Sequence, residues 1–477
     1  MDRHIIKGVV WSGIERFSVQ IIQFVVSIIL ARILSPSDFG TVAIILVFIN
    51  ILQVFNETGF SNALIYKLDR DELDFSTIFF FNILWGLILY VILYFSAPLI
   101  SIFFKIYELK VYTRILGLNI LITSFVVVQR TKLYISVDFK TQAKASLISI
   151  LVSGIISIYL AYRGTGAMAI IIQYLINNSI NTISLWIYTK WKPKIQFSFK
   201  RFQILFNYAY KLIFARFINA IFQEIYSITI GKFYTPSQLG YFNRAKSFVG
   251  ISSNNIINIV QRVSTPLLCE AQENNKNMEN LLLGFIQKTA FIVYPLLSAV
   301  FVLAEPLIKV FITDKWLPAV WILKVLCPVG MMFLISTFNL NIFNATGKTN
   351  WALKSEVIKK SINILIIIIA IFVNFKALIY SQLLIAIIEL FIDLVFTKKQ
   401  IGLKVISQLN NIKDIFLGSF TMALFVKILI NFISNDIIKL LLGISSGVIF
   451  YVLISYLFNI ASFKTIANDT IKKMRHN

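Results

Sequence analysis

The side chains in this sequence with the most capacity for chemistry are amides, hydroxyls and cations set three or four residues apart inside apolar stretches. Ser12, Arg16, Gln20, Gln23 and Ser27 follow one another at such intervals, which puts them on one face of a helix. Arg216, Asn219, Gln223 and Ser227 echo that stripe, and Gln173, Asn177 and Asn181 form a third. Asn50, Gln53 and Glu57 form a fourth, and Asn243, Asn254, Asn258 and Gln261 a fifth. Amides both donate and accept hydrogen bonds, so a wall of them suits the hydroxyls of a sugar. Guanidinium forks grip a pyrophosphate or carboxylate bidentately, which Lys does less well. Further cations stand within the apolar stretches at Lys211, Arg244, Lys246, Lys324, Lys359 and Lys360. The acids there are Glu15, Glu57, Glu224, Glu389 and, one turn further on, Asp393. An acid inside a membrane helix is a candidate site for a coupling proton or sodium ion, or the partner of a neighbouring Lys.

Those residues need elements to position them, and the composition says what kind. Of 477 residues, 58% are hydrophobic and 14% charged, against roughly a quarter charged in soluble domains. Apolar runs of about 20 residues recur, enough for a helix to cross about 30 Å of hydrocarbon. The runs are uniformly apolar and too long for barrel strands, so the fold class is an all-α polytopic membrane protein. Fourteen spans are expected, near residues 9–34, 39–63, 77–104, 112–133, 143–162, 167–189, 205–232, 238–262, 282–304, 319–343, 351–373, 377–397, 411–433 and 438–459.

Positive charge is unevenly shared between the connections. One set carries Arg3 and Lys7, Lys67 and Arg70, Arg130 to Lys144, Lys190 to Arg201, Lys398 to Lys413 and Lys464 to Arg475; the other is sparse. By the positive-inside rule both termini are cytoplasmic. The net charge of +23 then reflects topology and contact with anionic lipid heads, not nucleic acid.

The chain also repeats itself. Arg216, Phe217, Ile221, Gln223, Ser227, Ile228, Pro236, Ser237 and Gly240 match Arg16, Phe17, Ile21, Gln23, Ser27, Ile28, Pro36, Ser37 and Gly40 two hundred residues earlier, without a gap. Span one therefore pairs with span seven, and the repeat unit is six spans. Six is even, so both halves enter the membrane in the same direction, related by a pseudo-twofold along the membrane normal. The expected organisation is a lobe at 1–200, a second at 201–400, and two added spans with a basic tail at 401–477. Under that symmetry Arg16 and Arg216 face each other across a cleft, as a pyrophosphate clamp. The alternative is that both snorkel to the interface, since the helix from Arg16 to Pro36 rises about 30 Å.

Several functions are excluded. There is no G-x-x-x-x-G-K-[ST] motif for ATP. His4 and His476 are terminal, and Cys269 and Cys327 have no metal-ligand spacing, so no cofactor or metal is expected. No connection is long enough for an extramembrane catalytic domain.

The stretch Trp11 to Gly40 (WSGIERFSVQIIQFVVSIILARILSPSDFG) resembles the opening of bacterial polysaccharide transporters. These are the Wzx-type flippases of the multidrug/oligosaccharidyl-lipid/polysaccharide superfamily, and the likeness is closest to their colanic acid and teichuronic acid branch. Tyr134 to Lys140 (YISVDFK) and Asn344 to Lys348 (NATGK) resemble two turns of that family, and the span count agrees. The resemblance implies a flippase that carries undecaprenyl-pyrophosphate-linked oligosaccharide from the cytoplasmic to the outer leaflet of the bacterial cytoplasmic membrane by alternating access. A polysaccharide polymerase and its chain-length machinery would be its neighbours. It also implies Arg16 and Arg216 as pyrophosphate contacts; the stripes and the cations within spans add Gln23, Gln223, Lys211, Arg244, Lys246 and Lys324 as candidates for a substrate-binding set. Two other readings compete: a cation-coupled drug or small-molecule antiporter relying on Glu389 or Asp393, and a membrane glycosyltransferase or polymerase.

Overall fold

Two short sequences, Ser-Pro-Ser-Asp at 35–38 and Thr-Pro-Ser-Gln at 235–238, show how local chemistry sets the architecture. Each places a hydroxyl residue at a helix N-cap, Pro at the first helical position, and an acceptor side chain three residues after the cap. In the computed structural model both are closed capping boxes. The Asp38 N–H donates to Ser35 Oγ (3.2 Å), and the Ser35 N–H donates back to Asp38 Oδ2 (2.9 Å). The Gln238 N–H donates to Thr235 Oγ1 (3.3 Å), and the Thr235 N–H to Gln238 Oε1 (3.0 Å). Helices begin there at Pro36 and Pro236.

The structure describes residues 3–57 and 59–458; side chains are described from residue 18 onward, except at 57, 208, 211, 212, 215, 344 and 349. Among these residues the chain forms α-helices, one short 3-10 turn and no strand. It divides into two compact units, Met1–Gly240 and Tyr241–Asn477. The first holds α1 (Arg3–Ile33), α2 (Pro36–Glu57), α3 (Gly59–Tyr66), α4 (Glu72–Phe104), α5 (Leu109–Ser124), α6 (Val127–Ile135), α7 (Phe139–Tyr162), α8 (Ala167–Thr189) and α9 (Phe199–Phe233). Next come α10 (Pro236–Glu270), whose first turn belongs to the first unit, α11 (Asn275–Val302), α12 (Ala304–Ile312) and α13 (Ala319–Ala345). The chain continues with α14 (Thr349–Val373), α15 (Phe375–Ile401), α16 (Val405–Asn431) and α17 (Asp436–Leu457).

Each expected span corresponds to a helix or a broken pair of helices. Span two is α2 with α3. Span four is α5 with α6, bent by 42° at the break. The ninth span ends at Val302, two residues before the expected 304, and a separate short helix, α12, follows. Eight helices among the described residues are long and apolar enough to cross a membrane, or nine if the bent pair counts as one span. Several of the remaining long helices, α8, α9, α10 and α14, carry the amide stripes or inward charges, which lower their mean hydropathy. Outward faces are apolar: on α4, Leu84, Ile88, Phe95, Leu99 and Ile102 are exposed at helical spacing, a stripe suited to lipid.

The stretch 190–198, within the first unit, is fastened to α4. Its Lys194 N–H donates to Ser76 Oγ (3.0 Å) and its Ser198 N–H to Thr77 Oγ1 (3.2 Å). Trp191 donates through Nε1 to Glu72, and Lys132 pairs with the same carboxylate. Asp74, fully buried, takes Lys67 (2.6 Å) and Arg201 (3.1 Å). Asp71 caps α4. The Asp74 backbone N–H, then the Arg201 and Lys67 charges, hold the Asp71 carboxyl below the usual 3.8.

The two repeat turns meet. A Cβ on Gly40 would lie 1.7 Å from the Pro236 carbonyl oxygen, and one on Gly240 would lie 2.0 Å from that of Pro36. The contact is reciprocal between equivalent residues, as a local twofold requires. Glycine is needed at both positions because the opposing atoms are backbone.

Candidate functional site

The first unit encloses a half-open cavity of about 330 Å³ whose wall is mostly polar. Five separate stretches of sequence supply it. α1 contributes Gln23, and α2 contributes Asn50 and Gln53. The bent span contributes Asn119 and Thr123 from α5 and Arg130 from α6. α7 adds Gln142, Ser146 and Ser149, and α8 adds Tyr174, Asn177, Asn178 and Asn181. Of the described residues that line the cavity, Arg130 carries the one formal charge.

Side chains in the wall brace one another. Arg130 Nη2 donates to Asn181 Oδ1 (3.1 Å), and Asn178 Nδ2 donates to Asn119 Oδ1 (3.1 Å). Asn50 Nδ2 donates to Glu224 Oε1 on α9 (3.0 Å). The buried Gln142 Oε1 finds no donor in the protein. Polar walls of this size in an apolar setting are costly to lipid-facing helices, so they turn inward. The cavity matches the hydroxyl-rich chemistry of a carbohydrate, and its volume sits at the lower end of small-ligand pockets.

Three of the sequence stripes therefore converge, through Gln23, Asn50, Gln53, Asn177 and Asn181. Others lie elsewhere. Arg16 is on α1, but its side chain falls outside the described residues, as do those of Lys211 and Glu57. Arg216 and Gln223 are exposed on α9, and Glu224 is half-buried against Asn50. In the second unit Arg244 is buried, its guanidinium 5.3 Å from the centre of the Trp316 ring, while Lys246 is exposed and Lys324 half-buried. On the fifth stripe, Gln261 Nε2 donates to Asn341 Oδ1 (2.9 Å).

The acids of α15 pair across to α14. Glu389 Oε1 accepts from Asn363 Nδ2 (2.7 Å). Asp393, fully buried, accepts from Lys359 Nζ (3.0 Å) and Ser355 Oγ (3.4 Å) at the same oxygen. Lys359 also meets Glu356 one turn back. Of the two roles open to Asp393 in the sequence, pairing with a Lys is the one this geometry displays. No cluster of metal-ligating side chains occurs among the described residues.

Arg130 corrects the sequence reading. It counts there as a charge in a basic connection, whereas in the structure it is half-buried on α6 and lines the cavity. Asn119 and Thr123, four apart, gave a legible signal of the same kind as the five stripes; Gln142 and Ser146 gave another.

Comparison with known proteins agrees with this architecture. Residues 29–321, well over half of the chain, match the family model described as "Polysaccharide biosynthesis protein". The chain is 27% identical over 354 residues to the teichuronic acid biosynthesis protein TuaB of Bacillus subtilis, covering 74% of this chain and 73% of that one. It is 20% identical to the lipopolysaccharide biosynthesis protein WzxC of Escherichia coli, covering 74% and 72%. Among solved structures it is similar to the lipid II flippase MurJ in an inward closed conformation, with TM-score 0.78, 20% identity and 94% and 98% of the two chains covered. An inward-facing MATE-family multidrug transporter of the MOP superfamily matches with TM-score 0.64 and 14% identity over 80% and 94%. The fold is that of these transporters.

Proposed function

The chain belongs to the polysaccharide biosynthesis protein family, and from that premise we propose that it is a flippase. It moves undecaprenyl-pyrophosphate-linked oligosaccharide repeat units from the cytoplasmic to the outer leaflet, and it is a transporter rather than an enzyme. The observation that carries this reading is the amide-lined cavity of about 330 Å³ inside a unit whose outer helices are apolar. An amphiphile with a sugar head and an isoprenoid tail asks for that combination: polar groups inside for the head, apolar surface outside for the tail.

The rest of the reading follows from the same premise. The protein sits in the bacterial cytoplasmic membrane with both termini in the cytoplasm and works beside a polymerase and its chain-length machinery. Residues 1–200 and 201–400 are the two lobes that alternate, with 401–477 appended. Arg16 and Arg216 contact the pyrophosphate at equivalent positions of the repeat, with Gln223, Lys211, Arg244, Lys246 and Lys324 in support. Glu389, Asp393, Glu57 and Glu224 are the acids through which an ion gradient would act.

The test is translocation in proteoliposomes containing a fluorescent undecaprenyl-pyrophosphate oligosaccharide, read by protection from an impermeant oxidant. Time-dependent exposure that needs the protein supports the flippase. Exposure at the rate of protein-free vesicles rejects it. Replacing both Arg16 and Arg216 by Gln abolishes exposure while leaving insertion intact; an unchanged rate in that variant rejects the clamp.

A further inference from the structure

The second unit holds a cleft that its own helices leave unfilled. α16 is fastened to α11: Asn411 Nδ2 donates to the Leu283 carbonyl (2.9 Å), and the Tyr294 and Phe416 rings meet with centres 6.5 Å apart. Between α16 and the pair α13 and α15, a half-open cleft of about 390 Å³ remains. Its wall is apolar, built from Met331, Met332 and Ile335 of α13, Leu390 of α15, and Ile412 and Phe416 of α16. An apolar cavity offers water no partners, and in a bilayer the medium at hand to fill it is hydrocarbon. The two methionines are unbranched and adaptable, which suits a chain without fixed shape.

The mouth of the cleft is cationic. Leu409, Lys413 and Phe416 stand a turn apart on α16 and all are exposed, which marks the open edge. Lys413 is the one charged group among the described residues that line the cleft, and it meets no acceptor among the described residues. Asn410, also exposed, lies one turn before it on the same edge. The thirteenth span is expected to begin at 411, so Lys413 stands at the membrane boundary. Lys398, Lys399 and Lys404 lie at the same end of α15 and α16, the end that the positive-inside rule assigns to the cytoplasm.

We propose that this cleft is a site for an anionic glycerophospholipid of the leaflet that those lysines face. Part of one acyl chain lies along Met331, Ile335 and Phe416, the phosphate sits on Lys413, and Asn410 donates a second hydrogen bond to the head. The volume, at the lower end for ligand pockets, takes part of one chain and leaves the rest of the lipid in the bilayer. A zwitterionic lipid brings its own cation towards Lys413, which offsets the attraction. The bound lipid bridges α16 to α13 and α15 across the cleft. The proposal asks that the chain lie in a membrane, not that it move glycans.

The test uses the purified full chain in a neutral detergent and phosphatidylglycerol carrying a diazirine within one acyl chain, with labelled peptides identified by mass spectrometry. Peptides holding residues 328–335 and 409–416 are labelled several-fold more than those of the outward α4 stripe. Unlabelled phosphatidylglycerol displaces the cleft label at a roughly fivefold to tenfold lower concentration than phosphatidylcholine of the same chains, as one lysine near an anionic head implies. Lys413→Gln brings that ratio to about one, and Lys413→Arg retains it. Equal labelling of the cleft and the α4 stripe in the wild type overturns the proposal and needs no variant to fold. So does equal displacement by the two lipids, or an unchanged ratio in Lys413→Gln. Undecaprenyl phosphate displacing the label at a lower concentration than phosphatidylglycerol assigns the cleft to an isoprenoid chain and overturns it as well.

Discussion

Adding one methyl group where the two repeat turns meet should destabilise the first unit by an amount its geometry fixes. A Cβ at residue 40 would stand 1.7 Å from the Pro236 oxygen and 2.6 Å from its carbonyl carbon. Real Cβ contacts hardly ever fall below 3.0 Å, so the turns must part by at least 3.0 − 1.7 = 1.3 Å; for residue 240 the figure is 3.0 − 2.0 = 1.0 Å. The obstacle is backbone, which no rotamer change can move aside. The cost therefore lies at the upper end of overpacking, about 3 kcal/mol. For a unit of this size that is a fall in melting midpoint of roughly 6–12 °C. The assay is thermal unfolding of detergent-purified Gly40→Ala and Gly240→Ala at one scan rate. Gly284→Ala is the control, because nothing lies within 4 Å of its Cβ, and Ala in a helix interior gains about 0.5–1 kcal/mol over Gly. The separation forced by Gly40→Ala already exceeds what Gly240→Ala needs, so the double variant costs less than the sum of the singles. Single variants that melt with the wild type, or costs that add, would mean that the two turns are not in backbone contact at these glycines.

Two further predictions concern buried charge. Replacing Lys359 by Met leaves the fully buried Asp393 without its cation and should cost about 3–5 kcal/mol. Asp393→Leu costs less, because Lys359 keeps Glu356, and the double variant melts closer to the wild type than Lys359→Met does. Arg201→Gln removes a partner of both Asp71 and Asp74, so trypsin should cut between Lys190 and Lys200 several-fold faster than in the wild type, at an unchanged rate elsewhere.

How much of this was legible in the sequence depends on the range of the interaction. Capping chemistry is local, so Ser-Pro-Ser-Asp and Thr-Pro-Ser-Gln could be read directly as helix starts, and the duplication made each support the other. Helix faces are nearly as local: Gln23, Asn50, Gln53, Asn177 and Asn181 were found by spacing alone, and they do share a cavity. Arg130 counted only as a charge in a basic connection because its partner in the cavity wall, Asn181 of α8, lies 51 residues further along the chain. The ninth span, expected to end at 304, ends at Val302, and α12 carries on with apolar residues of its own. The approach of Gly40 to Pro236 could not be read at all, since it joins residues two hundred positions apart. Asp393 left two roles open in the sequence; its pairing with Lys359 required knowing how α14 lies along α15.

The flippase activity is tested in the cell by depleting this protein from its bacterium, with no redundant flippase present, and measuring lipid-linked oligosaccharides. Repeat units are expected to accumulate on undecaprenyl pyrophosphate at the cytoplasmic face while surface polymer disappears. An unchanged lipid-linked pool together with normal surface polymer would contradict it.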